Sequence, residues 1–194
     1  MDTPRRDQLV MNVLQHAVNH NHDRAMQVMG EIAAASTGRQ MYGVCCAIAE
    51  AGRQTLVRLY GHPSPEGLWA LTAPDPDNDC AQHPAHLFSL RFITSFANHD
   101  MLTCQALYLA AASASAEDYS HSLTALIGDV AHLARVALEE LADGEKPAPH
   151  PRCPPLPSRA LDAMPWPEHT PRLQAPELGE RENSPCPTQR AQLE

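Results

Sequence analysis

The stretch TGRQMYGVCCAIAEAGRQTLVRLY, residues 37–60, decides the fold. Met41, Val44, Cys45, Ile48, Gly52, Leu56 and Leu59 recur at steps of three and four, the spacing of one helix face. The other side of the first half is apolar too, with Tyr42, Cys46, Ala47 and Ala49. A helix apolar nearly all round belongs inside a bundle. Gly43, Ala47 and Ala51 stand four apart, so one edge carries almost no side chain and should admit a neighbouring helix closely. Ser36 or Thr37 supplies an N-cap, and Gly61-His62-Pro63 ends the helix.

Upstream, Leu9, Val10, Val13, Leu14, Ala17 and Val18 predict an amphipathic helix from about Arg5 to Asn19. A polar break follows, then a helix to about Ala35 with Ala25, Val28, Met29 and Ile32 on one face. Downstream, residues 61–86 read as a long loop rich in Pro, Gly and Asp, with Trp69 packing over the end of the bundle. From Leu87 the pattern is ambiguous. Phe88, Leu90 and Phe92 alternate like a strand, yet Phe88, Phe92 and Phe96 form one helical row. Met101 to about Ser113 is almost wholly apolar and predicts a buried helix; Ala116 to Ala142 predicts a long final one.

Asn21-His22-Asp23 recurs as Asn98-His99-Asp100, 77 positions later, and Ala33-Ala34-Ala35-Ser36 recurs as Ala110-Ala111-Ala112-Ser113. With a two-residue slip, Ile48 meets Ile127 and Glu50 meets Asp129. The expectation is an all-α helical bundle of about six helices over 1–145, read as a duplicated three-helix unit with repeats 5–60 and 87–142. Residues 146–194 hold 12 of the 18 prolines, lack apolar periodicity and read as a disordered proline-rich tail.

The chain of 194 residues carries a net charge of −9. All of that excess lies before Lys146, where 8 arginines face 17 acids. Such a surface repels a phosphate backbone and argues against nucleic-acid binding. No stretch has the pattern of a signal peptide or the length of a membrane span, which predicts a soluble cytoplasmic protein with no membrane partner. Its six cysteines then stay reduced. Cys45 and Cys46 point about 100° apart on a helix and read as core packing.

Cys80, His83 and His86 carry metal-type ligands at three-residue spacing, a candidate zinc site that lacks a fourth ligand; Pro84 between them speaks against a regular helix there. The Asn-His-Asp triplets read as helix caps. Glu50 and Asp129 form a candidate pair of inward acids, unless each meets water or one of Arg53, Arg58 and Arg135. In the tail, Pro154, Leu156, Pro157 and Arg159 fit an extended proline ligand, and Leu161, Met164 and Trp166 form an apolar docking motif. No nucleophile triad, phosphate loop or dinucleotide fingerprint is present, so no catalytic residues are assigned and no organic cofactor is expected. The expected function is non-enzymatic: an adaptor or regulator with a protein partner, self-associating as a homodimer. The alternatives are a metal or thiol sensor using the 79–86 loop, and an enzyme with a site between the bundle halves.

Overall fold

The computed structural model describes residues 3–63, 67–71 and 83–142. Among the described residues six helices follow one another: α1 (Thr3–Val18), α2 (His22–Ala34), α3 (Gly38–Tyr60), α4 (Pro84–Ala97), α5 (Met101–Ala112) and α6 (Ala116–Ala142). No strand occurs among the described residues. The fold is therefore all-α. Cys80 and the tail motifs at Pro154, Leu156, Pro157, Arg159 and Trp166 lie outside the described residues.

The α3 helix is enclosed as its all-round apolarity requires: Met41, Val44, Cys45, Ile48 and Ala49 have no exposed surface. Thr37 starts it with a capping box, accepting from Gln40 N while the Gln40 side chain accepts from Thr37 N at 2.9 Å. It packs on α6 and α4, and less on α1; α6 in turn packs on α4 and α1. These four helices surround the core. The shorter α2 and α5 are laid against α1 and α4 respectively.

The close approach to α3 does not use the small-residue edge read from the sequence. Ala47 and Ala51 are only half-buried, and the space over Gly43 is taken by the Arg6 side chain, 2.9 Å from where a Cβ would lie. The tight crossing is one residue past Ala51, at Gly52, whose missing Cβ would sit 3.1 Å from Val130 and 3.6 Å from Ile93.

Two other expectations change. Pro84 does not break α4; it opens it. Its absent N–H and fixed φ suit the first turn, and His83 before it is the N-cap, accepting from Ala85 N through Nδ1 at 3.3 Å. The strand alternative from Leu87 falls away, since Phe88, Phe92 and Phe96 form one buried row of this helix. The α5 helix is not buried as a whole. Cys104, Gln105, Tyr108 and Ala112 face inward, but Leu102 is 73% exposed and Ala106 and Ala110 are exposed as well. Lying at the edge of the four-helix core, it has neighbours on one side only.

The halves α1–α3 and α4–α6 are joined internally by matching turns. After α1, His20 N donates to Ala17 O and Asn21 N to His16 O; after α4, His99 N donates to Phe96 O and Asp100 N to Ser95 O. These are Schellman closures. Each places a histidine in the left-handed region, His20 at φ 58° and His99 at φ 60°. The following residue then caps the next helix, Asn21 to Arg24 N and Asp100 to Thr103 N. The capping role of the triplets thus falls on the first residue of one and the last of the other. The two turns themselves stand 79 residues apart, whereas the triplets match at 77. At that offset the buried Val10, Val13, Leu14 and Ala17 correspond to buried Ser89, Phe92, Ile93 and Phe96. The caps of α3 and α6 stand 78 apart, Thr37 and Ser115, whose hydroxyl accepts from Asp118 N. Trp69 packs on the core, its backbone held at both ends by the Asn98 amide (2.7 and 2.9 Å).

Candidate functional site

A cleft of about 510 Å³ opens where the end of α1 and start of α2 meet the start of α4 and the middle of α6. Its floor is made by what is missing. Ala17, Ala25, Ala85, Ala125 and Gly128 carry little or no side chain, and a Cβ on Gly128 would meet nothing within 4 Å. Helices in van der Waals contact elsewhere thus leave unfilled space here. Ile127 and Met26 add apolar wall, and Thr124 lines it with its hydroxyl already donating to Ser120 O.

Four imidazoles line the same cleft: His22, His83, His86 and His121. His22 opens α2 beyond its Asn21 cap, and His83 caps α4. The His83 and His121 rings stand edge to face, 6.2 Å between centroids. His86 lies three residues past His83, in the first turn of α4, where its Nδ1 meets both Asp129 oxygens at 3.2 and 3.3 Å. A carboxylate only accepts, so the Nδ1 proton lies in this contact and Nε2 is the remaining polar atom of the ring. His83 is set the other way. Its Nδ1 accepts from Ala85 N, so a neutral ring carries its proton on Nε2. Among the described residues no acid lines the cleft; Asp129 reaches it only through His86.

Of the residues singled out from the sequence, His83, His86 and Asp129 gather here. Glu50 has a separate environment. Its carboxylate accepts from Arg53 Nε at 2.8 Å and Nη2 at 2.7 Å, and from Gln54 Nε2 at 2.8 Å. Burial alone would raise its pKa, but these hydrogen bonds outweigh it and hold the carboxyl below its usual value. Each candidate acid therefore has its own partner, Arg53 for Glu50 and His86 for Asp129. His22 and His121 were not singled out as neighbours of His83, because 99 residues separate them in the chain. Among the described residues, no three of His, Cys, Asp and Glu are arranged to hold a metal ion.

A second polar cluster lies inside the bundle. Tyr108 meets Tyr42 at a tilt (5.5 Å between centroids) and Tyr119 edge to face (6.2 Å), and donates to Gly38 O at 2.8 Å. Cys45, Cys46 and Cys104 are buried beside them. Burial pushes all three thiols up, Cys46 to about 12 even though Tyr42 and Arg6 act the other way. A thiol kept protonated is neither a ready nucleophile nor a ready metal ligand. These cysteines act as small hydrophobes with weak donors, Cys104 towards Phe92 O at 3.8 Å.

No family model, curated protein or solved structure matches the chain.

Proposed function

We propose that the chain is a non-enzymatic interaction protein of the cytoplasm that self-associates through α5. The observation that carries this reading is an apolar helix left half-uncovered. Residues Met101–Ala112 contain no charged side chain, yet Leu102, Ala106 and Ala110 line up on the exposed side. On a chain with net charge −9, most surfaces repel a second copy. An uncharged stripe spaced four apart is where two copies meet least repulsion, and its alanines allow the helices close approach. No helix of the described residues is long and apolar enough to cross a membrane.

The test is the mass of the full chain in solution by light scattering over a range of concentrations. Leu102→Asp and Ala106→Glu place a charge on the exposed stripe without touching the buried face. Wild type should be dimeric and both variants monomeric with unchanged helicity. A monomeric wild type, or variants of unchanged mass, would remove the reading.

The metal reading is favoured by one observation, the neighbouring positions of His83 and His86 at the cleft. It requires Cys80 as a further ligand and is tested by zinc content of the purified chain against Cys80→Ser. The enzyme reading is favoured by the His86–Asp129 contact, an oriented imidazole of the kind used for general base work.

A further inference from the structure

We infer that the four-histidine cleft is a binding site for a small amphiphile with a carboxylate head and an apolar body. The argument begins with why the space exists. By the register of the matching turns and helices, Ala17 corresponds to Phe96, Ala25 to Cys104, Ala85 to Arg6 and His121 to Gly43. At the opposite end of the bundle the larger members of the first three pairs close the gap. Phe96 and Cys104 are buried, and the Arg6 guanidinium lies over Gly43. The same helix arrangement is therefore plugged at one end and hollow at the other. The hollow follows from the choice of alanine at Ala17, Ala25 and Ala85 and is not imposed by the fold. A volume of 510 Å³ lies within the range of small-molecule sites.

The chemistry of the walls selects the ligand. Small apolar side chains accept an alkyl or aryl body. The polar atoms belong almost entirely to imidazoles, and His83 offers an Nε2–H donor because its Nδ1 is used by the Ala85 N–H. His121, edge-on to His83, and His22 across the cleft add further imidazole nitrogens. An ammonium head would find no carboxylate among the described lining residues. A carboxylate head finds donors, on a chain that elsewhere repels anions. The first turns of α2 and α4 open on the same space, so the partial positive charge of two helix starts acts in the same direction. This site is separate from the α5 stripe, and neither proposal depends on the other.

Three probes of equal chain length separate the terms: octanoate, octan-1-ol and octylamine, each titrated calorimetrically into the full chain. Octanoate should bind at least tenfold more tightly than octylamine, with octanol between them. Gly128→Leu projects a side chain into the open space and replaces a helical glycine, so it should abolish octanoate binding without lowering the melting temperature. Should that variant fold poorly, Ala125→Leu fills the cleft from the next turn and is judged by the same loss. His83→Ser keeps an N-cap but removes the imidazole; it and His121→Ala should each weaken octanoate at least fivefold and leave octanol unchanged. Absence of octanoate binding to wild type, equal binding of octylamine, or undiminished binding to the filled variants overturns the inference. Binding lost in the filled variants but unaffected by either histidine change overturns the carboxylate assignment.

Discussion

Replacing Glu50 tests whether this carboxylate is structural. Arg53 is only 6% exposed, while the Glu50 side chain is 25% exposed. Removing one partner of a fully buried ion pair costs about 3–5 kcal/mol, whereas an exposed pair one helical turn apart contributes about 0.3–0.5 kcal/mol. The bidentate contact and quarter exposure place Glu50→Ala between these limits, at about 2 kcal/mol. Glu50→Gln keeps the shape and one acceptor, and should cost about 1 kcal/mol. Urea unfolding of the full chain, followed by circular dichroism, measures both. The pH dependence adds a second reading. Because the folded carboxyl titrates below its usual value, the unfolded chain takes up the proton first as pH falls. The contribution is complete above the unfolded glutamate pKa of about 4.3 and is lost as pH drops through the folded value. Wild type and Glu50→Gln should therefore converge in acid. A cost for Glu50→Ala below about 0.5 kcal/mol, the scatter of ordinary surface changes, would refute the reasoning. So would a gap between wild type and Glu50→Gln that does not narrow with pH.

The three core thiols should stay unmodified by an aromatic disulfide reagent at mildly alkaline pH and react on denaturation; Cys80→Ser, Cys153→Ser and Cys186→Ser together leave only these three to report, and rapid reaction of the folded variant would contradict their burial. His20 and His99 hold left-handed backbone that glycine adopts freely, so His20→Gly and His99→Gly should each raise stability by about 0.5–1 kcal/mol in the same urea assay, while Asn21→Ala and Asp100→Ala should each lower it by about 1 kcal/mol. A destabilised glycine variant would show that the imidazoles themselves hold the turns.

The helices were legible because their signals are local. The row Phe88, Phe92 and Phe96 pointed to a helix against the strand-like alternation, and α4 is the helix that buries it. Thr37 was legible as a cap because a cap bonds within three residues. Pro84 was misread because its effect depends on position: inside a helix it breaks the ladder, at the first residue it costs nothing. The α5 helix was misread for another reason. Apolarity all round says that a helix prefers cover, but the number of neighbours is set by where it lands, and it lands at the edge of the core.

What residues 37–60 determined alone was that one helix would be enclosed; periodicity and the cost of exposing apolar surface suffice for that. Tertiary structure decided where the chain has a cleft. Ala17, Ala25, Ala85 and Gly128 are unremarkable one by one, and His22, His83 and His121 are far apart in sequence. Their meeting depends on how α1 and α2 dock against α4 and α6, which no local pattern encodes. It also separated Glu50 from Asp129 as sites, giving one an arginine on its own helix and the other a histidine from α4. A charged group takes the partner that packing brings within reach, and for Asp129 that partner lies 43 residues away.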